Sequence, residues 1–211
     1  MSTAVIGTGG IGSAIARLLS SGGEQLRLAS ADIQSAQKLA GELGGAAIAA
    51  ADNREALQGA DAVVLALRFT VLEAVLGEVA DLVTDKLVVV PSNPVGLDNE
   101  GKVVRLLPEG QTSGEVVAGW LPAGTRLVMA FGTMSADLLE SSSNRTPEQA
   151  VLFYATDDDK AGEGVEQLIR KAGFEPMKVG GTDQSSRLEV GGDLHDVVVE
   201  PGEGRSLIGR D

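Results

Sequence analysis

The chain has 211 residues, 43% hydrophobic and 22% charged, with a formal net charge of −13 and no cysteine. That length suits one sizeable α/β core, and the negative charge argues against nucleic-acid backbones and anionic membranes as partners. The absence of thiols excludes disulfides and cysteine-ligated metals and suits a cytoplasmic location.

No apolar run approaches the ~20 residues that cross a bilayer, and the start, MSTAVIG, has no basic segment ahead of its apolar residues, so no signal peptide is expected. TAVIG (3–7) reads as a first strand. Ile11, Ala14, Ile15, Leu18 and Leu19 then recur at helical spacing as one apolar stripe. QLRLA (25–29) is a second strand, a helix covers about 33–43, and AAIAA (46–50) is a weak third strand. A short helix near 54–58 leads to DAVVLAL (61–67), the clearest strand in the chain. Val71, Leu72, Val75, Leu76 and Val79 mark the next helix, and KLVVVP (86–91) the next strand. Continuous apolar strands separated by helices imply a parallel sheet covered on both faces.

Beyond Pro91 the rhythm loosens. KVVRLL (102–107) offers one arm of a hairpin, and Thr112 and Glu115 have the spacing of a capping box for a short helix. TRLVMAF (125–131) is a buried strand, and ESSSNRTPEQ (140–149) is a surface loop by composition. AVLFYA (150–155) is a strand and 164–172 a helix. FEPMKVGG (174–181) closes the sheet at an edge, because Pro176 lacks the N–H that a central strand needs. After Asp196 the pattern predicts one short strand and then a loose tail. The expected class is α/β: a doubly wound, mostly parallel sheet of Rossmann type, in a single domain over 1–195 with a C-terminal tail over 196–211.

The chemistry concentrates where the first strand meets the first helix. Gly7, Gly9 and Gly12 form G-x-G-x-x-G. The first glycine permits a tight turn, the second lets a pyrophosphate approach the backbone, and the third lets the helix pack on the strand. Free N–H groups and the helix dipole then hold a diphosphate without a cationic side chain. That reconciles an anionic ligand with an acidic protein. Asp32 lies about 20 residues past Gly12. A carboxylate there accepts the ribose hydroxyls and repels a 2′-phosphate, which favours NAD. It is equally well placed to cap the helix that begins at Ile33, and both readings stay open.

Arg68 follows a central strand at the end of the sheet where ligands bind. It meets either a phosphate or acidic substrate tail, or Glu73 at the surface. TDDDK (156–160) suggests a metal cluster, yet consecutive aspartates diverge on a loop. The expectation is a solvated helix start with carboxylates at its positive end, and no metal site. Trp120 reads as core, Tyr154 as core or rim, and the single histidine, His195, as structural or exposed.

IGTGGIGSAIARLL, DAVVLAL with a bend at Arg68–Phe69, SNPVG, MAFGTM and LFYATDDDKAGEGVEQLIRKAGFEPMKVGG follow one another in a familiar order. Over about 1–195 the chain resembles the NADP oxidoreductases that use coenzyme F420. The resemblance implies hydride transfer between a nicotinamide and a deazaflavin ring, with NAD(P)(H) and coenzyme F420 as the small-molecule partners and a homodimer as the assembly. It places Thr8, Gly9, Gly10 and Ile11 on the diphosphate loop and Ser30 at the family's serine for the 2′-phosphate. Leu67, Arg68 and Asn93 fall near the nicotinamide, and Phe69, Gly132 and Thr133 in the substrate pocket. Two departures stand out. Ala31 and Asp32 replace the arginines that usually follow the serine, which leaves NAD versus NADP open. Gly132 replaces the asparagine of A-F-N-T. Hydride transfer needs positioning and exclusion of water rather than acid–base groups, so no catalytic side chain is assigned. The expected function is an NAD(P)-dependent oxidoreductase with a deazaflavin or flavin-like acceptor. The alternative is a non-catalytic NAD(P)-binding redox-sensing or interaction protein.

Overall fold

In the computed structural model, which describes residues 1–209, strands and helices alternate from the first residues. The first half runs β1 (Ser2–Ile6), α1 (Gly10–Ser21), β2 (Gln25–Ala29), α2 (Ile33–Leu43), β3 (Ala47–Ala49), α3 (Asn53–Leu57), β4 (Ala62–Leu65), α4 (Phe69–Val83) and β5 (Leu87–Val90). The second half holds a hairpin of β6 (Val95–Leu97) and β7 (Val103–Arg105), then α5 (Ser113–Trp120), β8 (Arg126–Ala130), α6 (Ala136–Ser142) and β9 (Val151–Ala155). α7 (Asp159–Lys171), β10 (Glu175–Gly180), a 3-10 turn (Thr182–Arg187) and α8 (Pro201–Ile208) complete it.

The eight-stranded sheet has the order β10-β9-β8-β5-β4-β1-β2-β3, and every neighbouring pair is parallel except β8 with β9. The chain winds outward from β1 to β3 and then crosses back to place β4 on the other side of β1. Such a reversal leaves a crevice at the carboxyl ends of the two central strands. Successive strand residues point to opposite faces. Val5, Val64, Val89 and Val128 therefore pack with α1, α2, α6 and α7, while Ile6, Val63, Leu65 and Val90 pack with α3, α4 and α5. The predicted stripe on α1 is the buried one, with Ala14, Ile15 and Leu19 inward. The two halves are also tied by charge. Glu24, fully buried after α1, pairs with Lys171 of α7 and accepts a hydrogen bond from Thr3 Oγ1 at 2.8 Å.

The sheet is of the doubly wound, mostly parallel type that the sequence predicts, and Pro176 lies on its edge strand. Two segments differ from expectation. The first residues of the presumed loop at 140–149 belong to α6, whose N-terminus is capped by Ser135 Oγ accepting from Leu138 N at 3.3 Å and whose Leu139 is buried. Among the described residues no strand forms after Asp196. Instead Val199 O accepts from Val151 N at 2.9 Å, and Pro201, with φ already preset for the first turn, starts α8, where Leu207 and Ile208 pack on the core. The last two residues of the expected tail, 210–211, lie outside the described residues. Among those described, no helix is long and apolar enough to cross a membrane.

Candidate functional site

The three motif glycines are glycine for three different reasons. Gly7 turns the chain out of β1 at φ 98°, and a Cβ there would stand 2.3 Å from Ala66 O. A Cβ on Gly12 would stand 1.8 Å from Gly7 O, so α1 can begin this close to the strand only without a side chain. Gly9 is unlike both. A Cβ there would meet nothing within 4 Å, and its φ of −72° suits any residue. What its missing side chain leaves open is space outside the protein.

That space is a cleft of about 350 Å³ at the switch point, walled by Gly9–Gly12, by Ala66–Phe69 after β4, and by Pro91–Asn93 and Val95 after β5. Five of the other α-helix starts are closed by side chains, and α8 begins on Pro201, which has no N–H of its own to cap. Asp32, Asp52, Thr112, Ser135 and Asp158 each accept from the first turn of α2, α3, α5, α6 and α7. α1 and α4 have no such cap, and their N-termini both border the cleft. The unsatisfied N–H groups and positive dipole ends of two helices therefore face one space.

The loops around the cleft are fastened to one another. Ser92 Oγ donates to Leu67 O at 2.6 Å, which joins the ends of β4 and β5. Asn93 Nδ2 donates to Gly132 O at 2.8 Å, and its Oδ1 accepts from Val190 N at 2.8 Å. Both ends of this amide are thus engaged with backbone. Arg68 is exposed and has no ion pair among the described residues, so the pairing with Glu73 is not formed. Phe69 borders the cleft but is itself buried, its ring 5.3 Å from that of Trp120. Phe131, fully buried at the end of β8, has φ 66°, a strained value for a bulky residue. The next residue has no room for asparagine: a Cβ on Gly132 would stand 2.4 Å from Pro91 O. Thr133 follows, buried, with no partner for its hydroxyl.

At the other end, Gly7 N donates to Ala29 O at 2.9 Å, which brings Ser30 and Asp32 beside the glycine loop. Asp32 Oδ1 accepts from Gln34 N at 3.0 Å and Oδ2 from Ser35 Oγ at 2.8 Å. The Ser35 and Gln34 hydrogen bonds hold the exposed carboxyl below the usual aspartate range. The cap is therefore formed. A carboxylate oxygen has lone pairs to spare for a second donor, so the cap does not exclude the ribose role.

The structure thus gathers Gly9, Gly10, Ile11, Gly12, Leu67, Arg68, Phe69 and Asn93 around one cleft. Gly7 and Thr8 complete the loop beneath it, and Gly132 and Thr133 lie across Asn93. Tyr154 donates to Glu166 Oε1 at 2.7 Å on α7, and burial first, then Glu166, pushes its phenol up. His195 Nδ1 lies 3.2 Å from Asp196 Oδ2. Neither lines the cleft. Asp158 caps α7 as a helix start should, and Asp157 accepts from Thr182 Oγ1 at 2.5 Å.

Sequence reasoning missed Glu189. Only 3% exposed, it pairs with Arg105 of β7 and accepts from Ser113 N at 2.7 Å, holding the hairpin and α5 against the wall behind Asn93. No motif marks it, since its partners lie far away in the chain.

Residues 2–94 match the family described as NADP oxidoreductase coenzyme F420-dependent. The match covers the glycine loop, the Leu67–Phe69 turn and Asn93, and it bears out the resemblance read from the sequence. A relative described as F420-dependent NADP reductase, from Methanothermobacter thermautotrophicus, is 29% identical over 199 residues, 90% of this chain and 85% of its own. A solved structure of the hypothetical protein SMa0349 from Sinorhizobium meliloti is similar with a TM-score of 0.83 and 28% identity, covering 95% of both chains. Another, from Arthrobacter sp. fb24 and provisionally assigned as an F420-dependent NADP reductase, has a TM-score of 0.75 at 20% identity over 87% of this chain and 86% of its own. At that identity the likeness is one of fold.

Proposed function

We propose that the protein is an NAD(P)-dependent oxidoreductase that passes a hydride between a nicotinamide dinucleotide and a deazaflavin, coenzyme F420, or a flavin-like ring. The observation that carries this reading is the cleft between two uncapped helix starts, entered past a glycine whose side chain would meet no protein atom. The match over 2–94 and the F420-dependent NADP reductase relative support the choice of reaction and of NADP(H) with coenzyme F420 as partners.

In this reading Gly7, Thr8, Gly9, Gly10, Ile11 and Gly12 hold the diphosphate through backbone N–H groups. Ser30 and Asp32 meet the adenosine ribose. Leu67 and Arg68, braced by Ser92 and Asn93, border the nicotinamide, and Phe69, Gly132 and Thr133 border the acceptor. When bound there, a reduced nicotinamide would supply the hydride, and the acceptor ring would accept it with one proton from solvent. The chain's own contribution is to orient two planar rings and exclude water, for which fixed loops suffice and a protonating side chain is not required. A cytoplasmic location and a homodimer belong to the same reading. The exposed Leu97, Val103 and Leu106 on the β6–β7 hairpin offer a second copy an apolar face.

The test is calorimetric titration with NADH, NADPH and coenzyme F420, singly and in pairs, followed by mixing to turnover. Binding of a reduced dinucleotide together with F420, and its oxidation by F420, is expected. Dinucleotide binding with no oxidation by any deazaflavin or flavin would point to a redox-sensing protein. Loss of all dinucleotide binding would end the reading.

A further inference from the structure

Pro91–Asn93 also border a second and much smaller cavity of about 20 Å³. A space of this order is enough to take up at least one water-sized group. Met129 and Leu188 form part of its apolar wall, while Ser113, Thr133, Ser185 and Glu189 give it a polar side. Ser113 and Thr133 are each 1% exposed, and the hydroxyl of each has no hydrogen-bond partner in the protein. Buried hydroxyls are nearly always partnered. Two that lack a protein partner, on residues lining one small space, are placed to share a ligand atom.

The neighbouring polar groups narrow what that atom is. Glu189 is balanced by Arg105 and accepts from Ser113 N, and Ser185 Oγ accepts from Gly114 N at 2.8 Å. The charge in the wall is therefore already matched, and a bare cation or anion would find an uncompensated environment. Two hydroxyls, each able to donate or accept, call for a small neutral group that can do the same.

We propose that this pit is a one-oxygen site held by the Ser113 and Thr133 hydroxyls. The oxygen is that of a water molecule, or of a ring carbonyl of the hydride acceptor reaching past Asn93. The second source rests on the hydride-transfer reading; the site itself does not. In either form it joins α5 to the strained Phe131–Thr133 loop and makes Thr133 a positioning residue at the acceptor end of the cleft.

The sign of a stability change tests it. If the pit holds an oxygen, Thr133→Val and Ser113→Ala each delete a formed hydrogen bond, and Tm falls by about 2–4 °C. If the pit is dry, each change removes a buried hydroxyl that had no partner, and Tm stays or rises. Thr133→Ser keeps the hydroxyl and retains the bound oxygen. High-resolution crystal structures, free and with coenzyme F420, identify the source. A density peak within hydrogen-bond reach of both hydroxyls and kept in both structures is water. Its replacement by a ligand carbonyl, with a raised acceptor KM for Thr133→Val and little change in kcat, is the acceptor. Unchanged or raised Tm in both variants, or no density beside the hydroxyls in either structure, overturns the proposal. Because the Tm and density readouts need no turnover, failure of the pit and failure of the hydride-transfer reading are separable.

Discussion

The two ends of the cleft are built by different means. At the β1 end a run of six residues, Gly7–Gly12, does the work through backbone: one glycine makes the turn, one admits the helix, and one leaves the surface bare. At the β8 end side chains fasten segments that are remote in the chain, with Asn93 reaching 39 residues to Gly132 and 97 to Val190, and Glu189 reaching 76 to Ser113. In the proposed reading, backbone amides meet what every dinucleotide has in common, its diphosphate. Side-chain locks fix the shape of the opposite wall, which that reading assigns to the acceptor.

The largest expected effect separates two glycines of the same loop. Gly12→Val puts a Cβ 1.8 Å from a carbonyl oxygen that belongs to the turn itself. A shift of α1 is unavoidable, and a loss above ~4 kcal/mol, much of a typical domain's stability, is expected in thermal or urea unfolding. Gly9→Val should leave the unfolding curve nearly unchanged, because that Cβ meets nothing. Its isopropyl group occupies the cleft instead, and titration should show dinucleotide affinity falling at least ~100-fold, about 3 kcal/mol. A folded Gly9→Val protein that binds NADPH normally would remove the backbone half of the comparison.

Next in size is the far end. Glu189→Ala leaves Ser113 N and the half-exposed Arg105 without their carboxylate. Breaking a buried pair costs about 3–5 kcal/mol, and the solvent open to Arg105 lowers that to roughly 2–3 kcal/mol, or about 4–12 °C in Tm. Dinucleotide affinity should change less than twofold while acceptor KM rises. Equal losses on both sides would mean that the two ends are one unit rather than two.

This contrast also decides what the sequence reveals. β2 and α2 appear in the structure at the residues predicted, 25–29 and 33–43, because their signals are local: an apolar strand, then an aspartate cap and a helical stripe. The glycine loop is legible for the same reason. α6 is not, since its serines and short length read as loop while its stability comes from Leu139 packing beneath α1. α8 is hidden likewise, being polar by composition and held by Leu207 and Ile208 against distant residues. Gly132 is legible as a departure from A-F-N-T but not its cause, the approach of Pro91 O from another strand end. Glu189 is one of 30 acidic residues, and only the folded chain shows that it is buried beside Ser113.

The smallest effect sharpens the backbone end. Asp32 caps α2, and the same carboxylate stands beside the loop where an adenosine ribose would lie. Asp32→Ser separates the two duties, because serine caps about as well as aspartate but carries no charge. Stability should change by less than ~0.5 kcal/mol, while affinity for NADPH relative to NADH should rise ~10-fold as repulsion of the 2′-phosphate is removed. In the wild type the Ser35 and Gln34 hydrogen bonds depress the carboxyl's pKa. Its capping contribution is therefore present above the unfolded-state pKa and lost only as pH falls through the lower folded value, so the charge persists throughout neutral pH. The comparison of NADPH with NADH can then be made at any neutral pH without Asp32 changing state. An unchanged ratio of affinities would leave Asp32 as a cap alone and move the choice of dinucleotide to other residues.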